Sequence, residues 1–107
     1  MPSNLDQVIL KKITQPTDCY IIFYSNWCKY SLNALSLLRS RNACYKGYEI
    51  ESIPGGMDYL LKLFNSTSEL NFNPMHKTRP MIFYNGKFIG GYSELLNYGS
   101  SSSSYRA

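Results

Sequence analysis

The sequence predicts an α/β fold: a four-stranded mixed sheet flanked by helices. Helical and strand-like apolar patterns alternate in the order α-β-α-β-α-β-β-α, which favours layers of helices packed on one sheet. Asn85-Gly86 between two short apolar runs is a strong signal for a two-residue hairpin. At 107 residues the chain is long enough for one modest core. We expect a single domain over 1–98, followed by a flexible serine-rich tail over 99–107.

Four segments have the apolar spacing of helices. Leu5, Val8, Ile9 and Ile13 form one face of the first helix. The second helix is predicted from about residue 28 to 41, the third over 58–65 and the last over 93–98. Between the third helix and the third strand, residues 66–77 are polar and irregular.

Four shorter segments are predicted as strands. Residues 19–24 are a continuous apolar run, typical of a buried parallel strand. The second strand is predicted over 45–52, and 81–84 and 87–89 form the hairpin around Asn85-Gly86. The first two strands and the helix between them then form a parallel βαβ unit, with helices on both faces of the sheet.

Charge and cysteine content narrow the possible functions. The net charge of +4 favours anionic partners, but the longest basic run is Lys11-Lys12, so nucleic acid is not expected. No apolar span reaches membrane length, so no membrane association is expected. With one histidine and no Cys-x-x-Cys pair, no zinc site is expected. Three cysteines do not look like a disulfide framework, and they favour a reducing cytoplasmic location.

Cys28 stands where a strand ends and a helical pattern begins. Helix N-termini present unpaired N–H groups and partial positive charge, which stabilise a thiolate. Trp27 and Tyr30 are large aromatics beside the cysteine, and Lys29 is unsuited to a core, so we expect a partly exposed thiol. This setting favours a nucleophilic cysteine over a buried, inert one.

Ser31 holds the position that the second cysteine of a Cys-x-x-Cys motif would occupy. One interpretation is an ordinary serine in the first helical turn, where serine is well tolerated. The other is a hydroxyl that donates to the Cys28 thiolate and forms no disulfide with it. Both interpretations remain open at this point.

Two later segments carry further signals. Thr78-Arg79-Pro80 opens the third strand, and a proline is allowed at a strand's first residue. Gly90-Gly91-Tyr92-Ser93-Glu94 lies between the fourth strand and the last helix. Paired glycines there either form a simple turn or let a ligand approach the backbone.

Taken together, these residues resemble the glutaredoxin family, a branch of the thioredoxin fold. The resemblance covers roughly 19–98 and rests on FYSNWCKYS at 23–31 and TRPMIFYNGKFIGGYSEL at 78–95. The second block is the more specific, with Thr-x-Pro, hairpin, Gly-Gly and an acidic residue in order. The resemblance implies a thioredoxin-like, glutaredoxin-type four-stranded mixed sheet flanked by helices.

The resemblance also implies a monomeric, glutathione-dependent thiol–disulfide oxidoreductase with a role in electron transport. Cys28 would take the glutathionyl group from a protein–glutathione mixed disulfide, and a second glutathione would release it as oxidised glutathione. This monothiol route needs one protein thiol, so Ser31 does not forbid it. The implied partners are glutathione, as co-substrate, and glutathionylated or disulfide-bearing proteins.

The implied catalytic residues are Cys28 and Ser31, and the implied glutathione site surrounds them. Arg79 would offer its backbone to the cysteinyl group beside a cis proline, and the γ-glutamyl end would lie against the Gly-Gly segment. The full set of implied glutathione-binding residues is Lys29, Tyr30, Thr78, Arg79, Pro80, Gly91, Ser93 and Glu94.

The chain departs from the family pattern around the cysteine. Ser25 stands where many members carry Lys or Arg, and the candidates to replace that cation are Lys29, Lys62, Lys77 and Arg79. Trp27 before the cysteine is more typical of thioredoxins, whereas Gly90-Gly91 argues against that branch. The motif Cys-Lys-Tyr-Ser is monothiol-like, but it is not the Cys-Gly-Phe-Ser of iron–sulfur-carrying members.

Two other functions are considered beside the oxidoreductase. In one, Cys28 is a metal ligand and, with glutathione, holds a [2Fe–2S] cluster between two copies of the chain. In the other, the chain is a redox-inactive interaction module. Cys44 would lie about 24 Å from Cys28 at the far end of the helix, too far to resolve it. Cys19 is expected to be structural, and His76 is expected at the surface.

Overall fold

A computed structural model of the chain describes residues 4–15 and 18–98. The predicted tail over 99–107 lies outside the described residues. The helices are α1 (Asn4–Thr14), α2 (Lys29–Ser40), α3 (Gly56–Asn65) and α4 (Tyr92–Asn97), and the strands are β1 (Tyr20–Tyr24), β2 (Tyr45–Glu49), β3 (Met81–Tyr84) and β4 (Lys87–Gly90). The predicted order of elements is confirmed. Across the described residues, no helix is both long and apolar enough to span a membrane.

The four strands form one mixed sheet in the order β2-β1-β3-β4. β1 pairs with β2 in parallel, as the predicted βαβ unit requires, and with β3 in the antiparallel sense. β3 and β4 form the predicted antiparallel hairpin. Its turn residues Asn85 and Gly86 have φ values of 51° and 80°, the left-handed conformation that a tight hairpin of this type needs.

Apolar residues of the central strands alternate between two cores, one on each face of the sheet. Ile21 and Phe23 of β1 lie in the core that α1 and α3 cover, while Ile22 lies in the core under α2 and α4. β3 follows the same rule, with Met81 and Phe83 on the first face and Ile82 on the second. This period of two fixes which side chains enter each core, and the direction of β1 places Cys28 beyond the carboxyl end of that strand.

The second strand ends earlier than predicted. It stops at Glu49, and Ile50–Ser52 form a 3₁₀ turn that buries Ile50 in the core. The Ser52 hydroxyl donates to the Glu49 carbonyl at 2.7 Å and closes this turn. The turn leaves Glu51 exposed at the carboxyl end of β2, next to the end of β1.

The expectation that the cysteines form no disulfide framework is wrong for one pair. Cys19 and Cys44 are joined by a disulfide, with Cα atoms 4.6 Å apart. The strand register explains this pairing: Tyr20 lies opposite Tyr45, and each cysteine immediately precedes one of these residues. The Tyr20 N–H also donates to the Cys44 carbonyl at 2.9 Å. Among the described residues Cys28 is the free cysteine.

Candidate active site

Cys28 is the N-cap residue of α2, which begins at Lys29, one residue after the predicted start at about residue 28. Its backbone is extended (φ −97°, ψ 121°), and its N–H donates to the Ser25 carbonyl at 3.1 Å, which closes the turn after β1. The thiol is half-buried. Its neighbours Trp27 and Tyr30 are 65% and 58% exposed, which confirms the expected surface setting. The helix start therefore presents a cysteine to solvent beside unpaired backbone N–H groups.

The Arg79–Pro80 peptide bond lies against this cysteine and is cis. The Cys28 thiol donates to the Arg79 carbonyl oxygen, with an Sγ–O distance of 3.9 Å. Pro80 is buried, and β3 begins directly after it. The two sequence blocks that carry the resemblance thus meet at one end of the sheet.

A groove of about 320 Å³ runs from this contact toward α4. Its lining residues are Tyr30, His76, Thr78, Arg79, Gly91, Tyr92, Ser93 and Glu94. Six of these were predicted from the sequence, whereas His76 and Tyr92 were not. The other predicted site residues, Cys28, Lys29, Ser31 and Pro80, are not among the lining residues. The groove therefore joins the cysteine region to the Gly-Gly segment as a continuous surface.

Ser31 supports the loop that precedes the cysteine. Its side chain is completely buried, and its hydroxyl oxygen accepts a hydrogen bond from the Ser25 N–H at 3.2 Å. Lys29, by contrast, is exposed at the first residue of α2. The contact of Ser31 with Ser25 gives it a structural task, and its predicted catalytic role stays a prediction.

Two glycines, Gly90 at the end of β4 and Gly91 after it, are needed for internal packing. Gly90 has φ +128°, and a Cβ there would lie 2.4 Å from Cγ of Glu94. A Cβ on Gly91 would lie 3.1 Å from Cε1 of His76 and 3.3 Å from the Pro80 carbonyl oxygen. Glu94 folds back over this space, and its Oε1 accepts the Gly91 N–H at 2.8 Å. The glycines thus let Glu94 cap α4 along the wall of the groove.

His76 was expected at the surface, but it is half-buried and lines the groove. Its ring lies 5.0 Å from the ring of Phe88 and 6.2 Å from that of Phe72, centroid to centroid. Its Nε2 lies 3.2 Å from the Pro80 carbonyl oxygen, so the ring donates a hydrogen bond to the cis-proline segment. The aromatic contacts explain why this histidine leaves the solvent.

Four side chains form a connected cluster beside Cys28, which we call the Ser25–Glu51 cluster: Ser25, Trp27, Glu51 and Arg79. The buried Ser25 hydroxyl donates to Oε2 of Glu51 at 2.7 Å and accepts from Nε of Arg79 at 2.7 Å. The Trp27 indole donates to the same Glu51 oxygen at 3.3 Å. The Arg79 guanidinium lies over the Trp27 ring, 4.8 Å from its centroid. Of the candidates to replace a cation at position 25, Arg79 is the one bonded to Ser25.

Glu51 is ionised more readily than an ordinary glutamate. The hydrogen bond from the Ser25 hydroxyl lowers the pKa of Glu51, and the Trp27 indole and the Arg79 charge act in the same direction. Arg79 Nε and Glu51 Oε2 are 3.8 Å apart, a contact between partly exposed side chains. The sequence reasoning missed Glu51 because the predicted strand ran through it.

No metal centre is formed by the described residues of a single copy. They contain no group of three or more His, Cys, Asp or Glu side chains that could hold a metal ion. A cluster shared by two copies with glutathione would need only one cysteine from each. That alternative therefore stays a prediction.

Comparison with known proteins gives one consistent family. The glutaredoxin family profile matches residues 20–89. The "Probable glutaredoxin" of Acanthamoeba polyphaga mimivirus is 47% identical over 92 residues, which cover 84% of this chain and 87% of that protein. Mitochondrial glutaredoxin-2 of Mus musculus is 31% identical over 81 residues, 76% of this chain and 47% of that protein. The chain thus spans about half the length of this mammalian relative.

Solved structures show the same fold at low sequence identity. The holo form of glutaredoxin C1 from Populus tremula x tremuloides has a TM-score of 0.69 at 19% identity, covering 96% of this chain and 94% of that one. The buckwheat glutaredoxin–glutathione complex has a TM-score of 0.67 at 21% identity, covering 98% and 92%. Both likenesses extend over nearly the whole of each chain.

Proposed function

The chain belongs to the glutaredoxin family of thiol–disulfide oxidoreductases, and from this premise we propose that it reduces protein–glutathione mixed disulfides by a monothiol mechanism. One observation carries the proposal: Cys28 is the free cysteine of the described residues, and it lies at the start of α2 against Arg79 of the groove. Cys19 and Cys44 are bonded to each other and precede β1 and β2. Cys28 is therefore the free thiol that can react with a ligand held in the groove.

The reaction proceeds in two exchanges. The Cys28 thiolate attacks the glutathione sulfur of the mixed disulfide, the target–glutathione S–S bond breaks, and the target protein leaves as a thiolate that takes up a proton. A second glutathione, as thiolate, then attacks the glutathione sulfur bound to Cys28. Oxidised glutathione leaves, and the Cys28 thiolate is restored. The start of α2 favours this thiolate in both steps because its N–H groups carry partial positive charge.

The groove has suitable chemistry for glutathione along its length. The Thr78–Arg79 backbone next to the cis Pro80 offers polar groups to the cysteinyl segment, close to Cys28 Sγ. At the other end, the exposed Ser93 hydroxyl would donate a hydrogen bond to the γ-glutamyl carboxylate. The exposed Glu94 carboxylate would pair with the ammonium group of the same residue. The Gly91 N–H already bonds Glu94, so Ser93 has the larger part in holding that carboxylate. The buckwheat glutaredoxin–glutathione complex, with the same fold, supports this choice of ligand.

The proposal is tested by the turnover of a glutathionylated peptide and by intact mass. Incubation with oxidised glutathione should add one glutathione, on Cys28, and Cys28→Ser should abolish both the adduct and the turnover. Cys28→Ala is the second variant, since alanine at the half-buried position removes the sulfur without adding a hydroxyl. Turnover that persists in either variant overturns the proposal, and glutathione binding without any turnover favours a redox-inactive module.

The half-buried free thiol also fits the second candidate, a [2Fe–2S] cluster shared by two copies. In that arrangement Cys28 of each copy and one glutathione per copy would ligate iron. Anaerobic reconstitution with iron, sulfide and glutathione should then give a dimer that absorbs visible light and is lost in Cys28→Ser. A colourless monomer after reconstitution contradicts this candidate.

A further inference from the structure

Arg79 contributes more to the groove than its backbone. Its side chain is the link between the groove, which it lines, and the Ser25–Glu51 cluster, which it completes. Glu51 does not line the groove. Arg79 is therefore the side chain that connects Glu51, through hydrogen bonds, to a molecule in the groove.

The contacts of Arg79 use one edge of its guanidinium and leave the other available. The Nε–H is bonded to Ser25, and the guanidinium carbon lies over the Trp27 ring. Nη1 and Nη2 donate to none of the described residues. A guanidinium held in this way presents paired parallel N–H groups, the geometry that binds a carboxylate with two hydrogen bonds.

Glu51 orients the Ser25 hydroxyl toward itself and so determines how Ser25 contacts Arg79. A serine hydroxyl has one hydrogen, and here that hydrogen goes to Glu51, so a lone pair of Ser25 Oγ faces the Arg79 Nε–H. Without the carboxylate the hydroxyl could rotate and compete with the arginine as a donor. Glu51 also holds the Trp27 indole N–H and thereby fixes the ring on which the guanidinium lies.

We propose that Glu51 is a positioning residue that, through Ser25 and Trp27, holds Arg79 so that its Nη groups bind the glycine carboxylate of a glutathionyl group. This inference rests on the proposed function in taking glutathione as the ligand. The Glu51 charge does not repel that carboxylate strongly because it is already compensated by two hydrogen bonds, from Ser25 and Trp27, and by the positive charge of Arg79. The cluster thus favours thiol peptides with a free C-terminal carboxylate, and Glu51 determines the size of that preference in binding affinity.

The inference is tested by binding, so that it does not depend on turnover. The full chain with Cys28→Ser is titrated calorimetrically with glutathione and with its glycine monoethyl ester, which lacks the carboxylate charge. Glutathione should bind more tightly than the ester. Glu51→Ala should weaken glutathione binding by about 10-fold and leave ester binding within about twofold, because only the charged ligand uses the Nη pair.

Two further variants separate positioning from general effects. Glu51→Gln keeps an oxygen acceptor for Ser25 and should restore part of the lost affinity, whereas Glu49→Gln removes a nearby charge on β2 and should bind both ligands as the parent does. Equal losses for glutathione and ester, or parent-like affinity in Glu51→Ala, overturn the inference while leaving the proposed function intact. A parent chain that binds no glutathione overturns both.

Discussion

Glu51 accepts hydrogen bonds from Ser25 and Trp27 and lies 3.8 Å from Arg79 Nε, although 42% of its side chain is exposed. The Ser25 hydroxyl is the main cause of its lowered pKa. Because the pKa of Glu51 is lower in the folded chain than in the unfolded chain, ionisation of this group stabilises the fold above the ordinary glutamate range. That contribution is lost as the pH falls through the lowered pKa. The cluster beside Cys28 should therefore be intact at neutral pH and loosen in acid.

Ser25→Ala should raise the pKa of Glu51 toward its ordinary value, since the largest favourable contact with the carboxylate is removed. The measurement is an NMR titration of the Glu51 side-chain carboxyl carbon. Ser52→Ala is the matched control because the Ser52 hydroxyl donates to a backbone carbonyl, not to Glu51. A Glu51 pKa that is the same in Ser25→Ala and in the parent would contradict the assignment of this hydrogen bond.

Residues of the site differ in how well the sequence reveals them. Cys28, Arg79 and Glu94 lie in short local motifs, so they can be proposed as site residues without knowing the fold. Glu51 reaches Ser25 because β1 and β2 are parallel, with Tyr24 opposite Glu49, so that their carboxyl ends meet. The strand predicted over 45–52 hides this contact, because Glu51 then looks like an ordinary outward-facing residue of an alternating strand. His76 is similar, since only the aromatic contacts in the folded chain draw it into the groove.

At the scale of elements, α2 is tied to α4 by one side chain. Arg41, the C-cap residue of α2, donates from Nη1 to the carbonyls of Leu95 and Tyr98, each at 3.0 Å, and from Nη2 to the carbonyl of Leu96 at 2.9 Å. The last carbonyls of a helix have no partner within it, so this guanidinium satisfies them. The contact holds α4 in place, and α4 carries one wall of the groove.

Arg41→Gln should lower the free energy of unfolding by about 1–3 kcal/mol, since charge-assisted bonds to the end of α4 are lost. Urea denaturation monitored by circular dichroism measures this change. Arg39→Gln is the control on the same helix because Arg39 is exposed and donates to the Tyr45 hydroxyl alone among the described residues. That variant should stay within about 0.5 kcal/mol of the parent. Equal stability of the two variants would contradict a capping role for Arg41.

The disulfide fastens an edge strand to a central one. β2 lies at the edge of the sheet and pairs only with β1 among the described strands. Cys19 and Cys44 join the beginnings of these two strands across a sequence separation of 25. A cross-link over a loop of this length restricts the unfolded chain and so favours the folded one.

The double variant Cys19→Ser/Cys44→Ser should be less stable than the oxidised parent by about 3–4 kcal/mol, from the entropy of closing that loop. Urea denaturation of both proteins, with and without a reducing agent, measures the difference. The reducing agent should shift the parent toward the double variant and leave the double variant unchanged. A parent that unfolds at the same urea concentration in both conditions would contradict the cross-link.

Local patterns predict elements better than they predict pairings between elements. The hairpin of β3 and β4 follows from Asn85-Gly86, whose turn needs no information from elsewhere in the chain. The Cys19–Cys44 bond depends on the register of β1 against β2, which no local pattern specifies. The number of cysteines therefore does not predict the bond, whereas the position of each cysteine directly before a strand is consistent with it.

On the scale of the whole molecule, the sheet separates two kinds of sulfur chemistry. Cys19 precedes β1 and Cys28 follows the turn after it, so the five-residue strand and that turn lie between them. At about 3.3 Å per residue the strand alone spans about 16 Å, well beyond the reach of a disulfide. The disulfide thus lies at the end of the sheet opposite the groove. This position favours a role in stabilising the fold.

Turnover and stability should consequently respond to different cysteines. Cys19→Ser/Cys44→Ser should retain kcat/KM for a glutathionylated peptide within about twofold of the parent, at a temperature where circular dichroism shows both folded, because Cys28 and its groove keep their contacts. Cys28→Ser should lose turnover while its unfolding free energy stays within about 1 kcal/mol, since the Cys28 side chain is only half-buried. If the double variant instead lost turnover while folded, the Cys19–Cys44 pair would be an obligatory redox partner of Cys28. The separation of the two sites by β1 argues for the first result, because exchange between them within one folded chain would require the sheet to come apart.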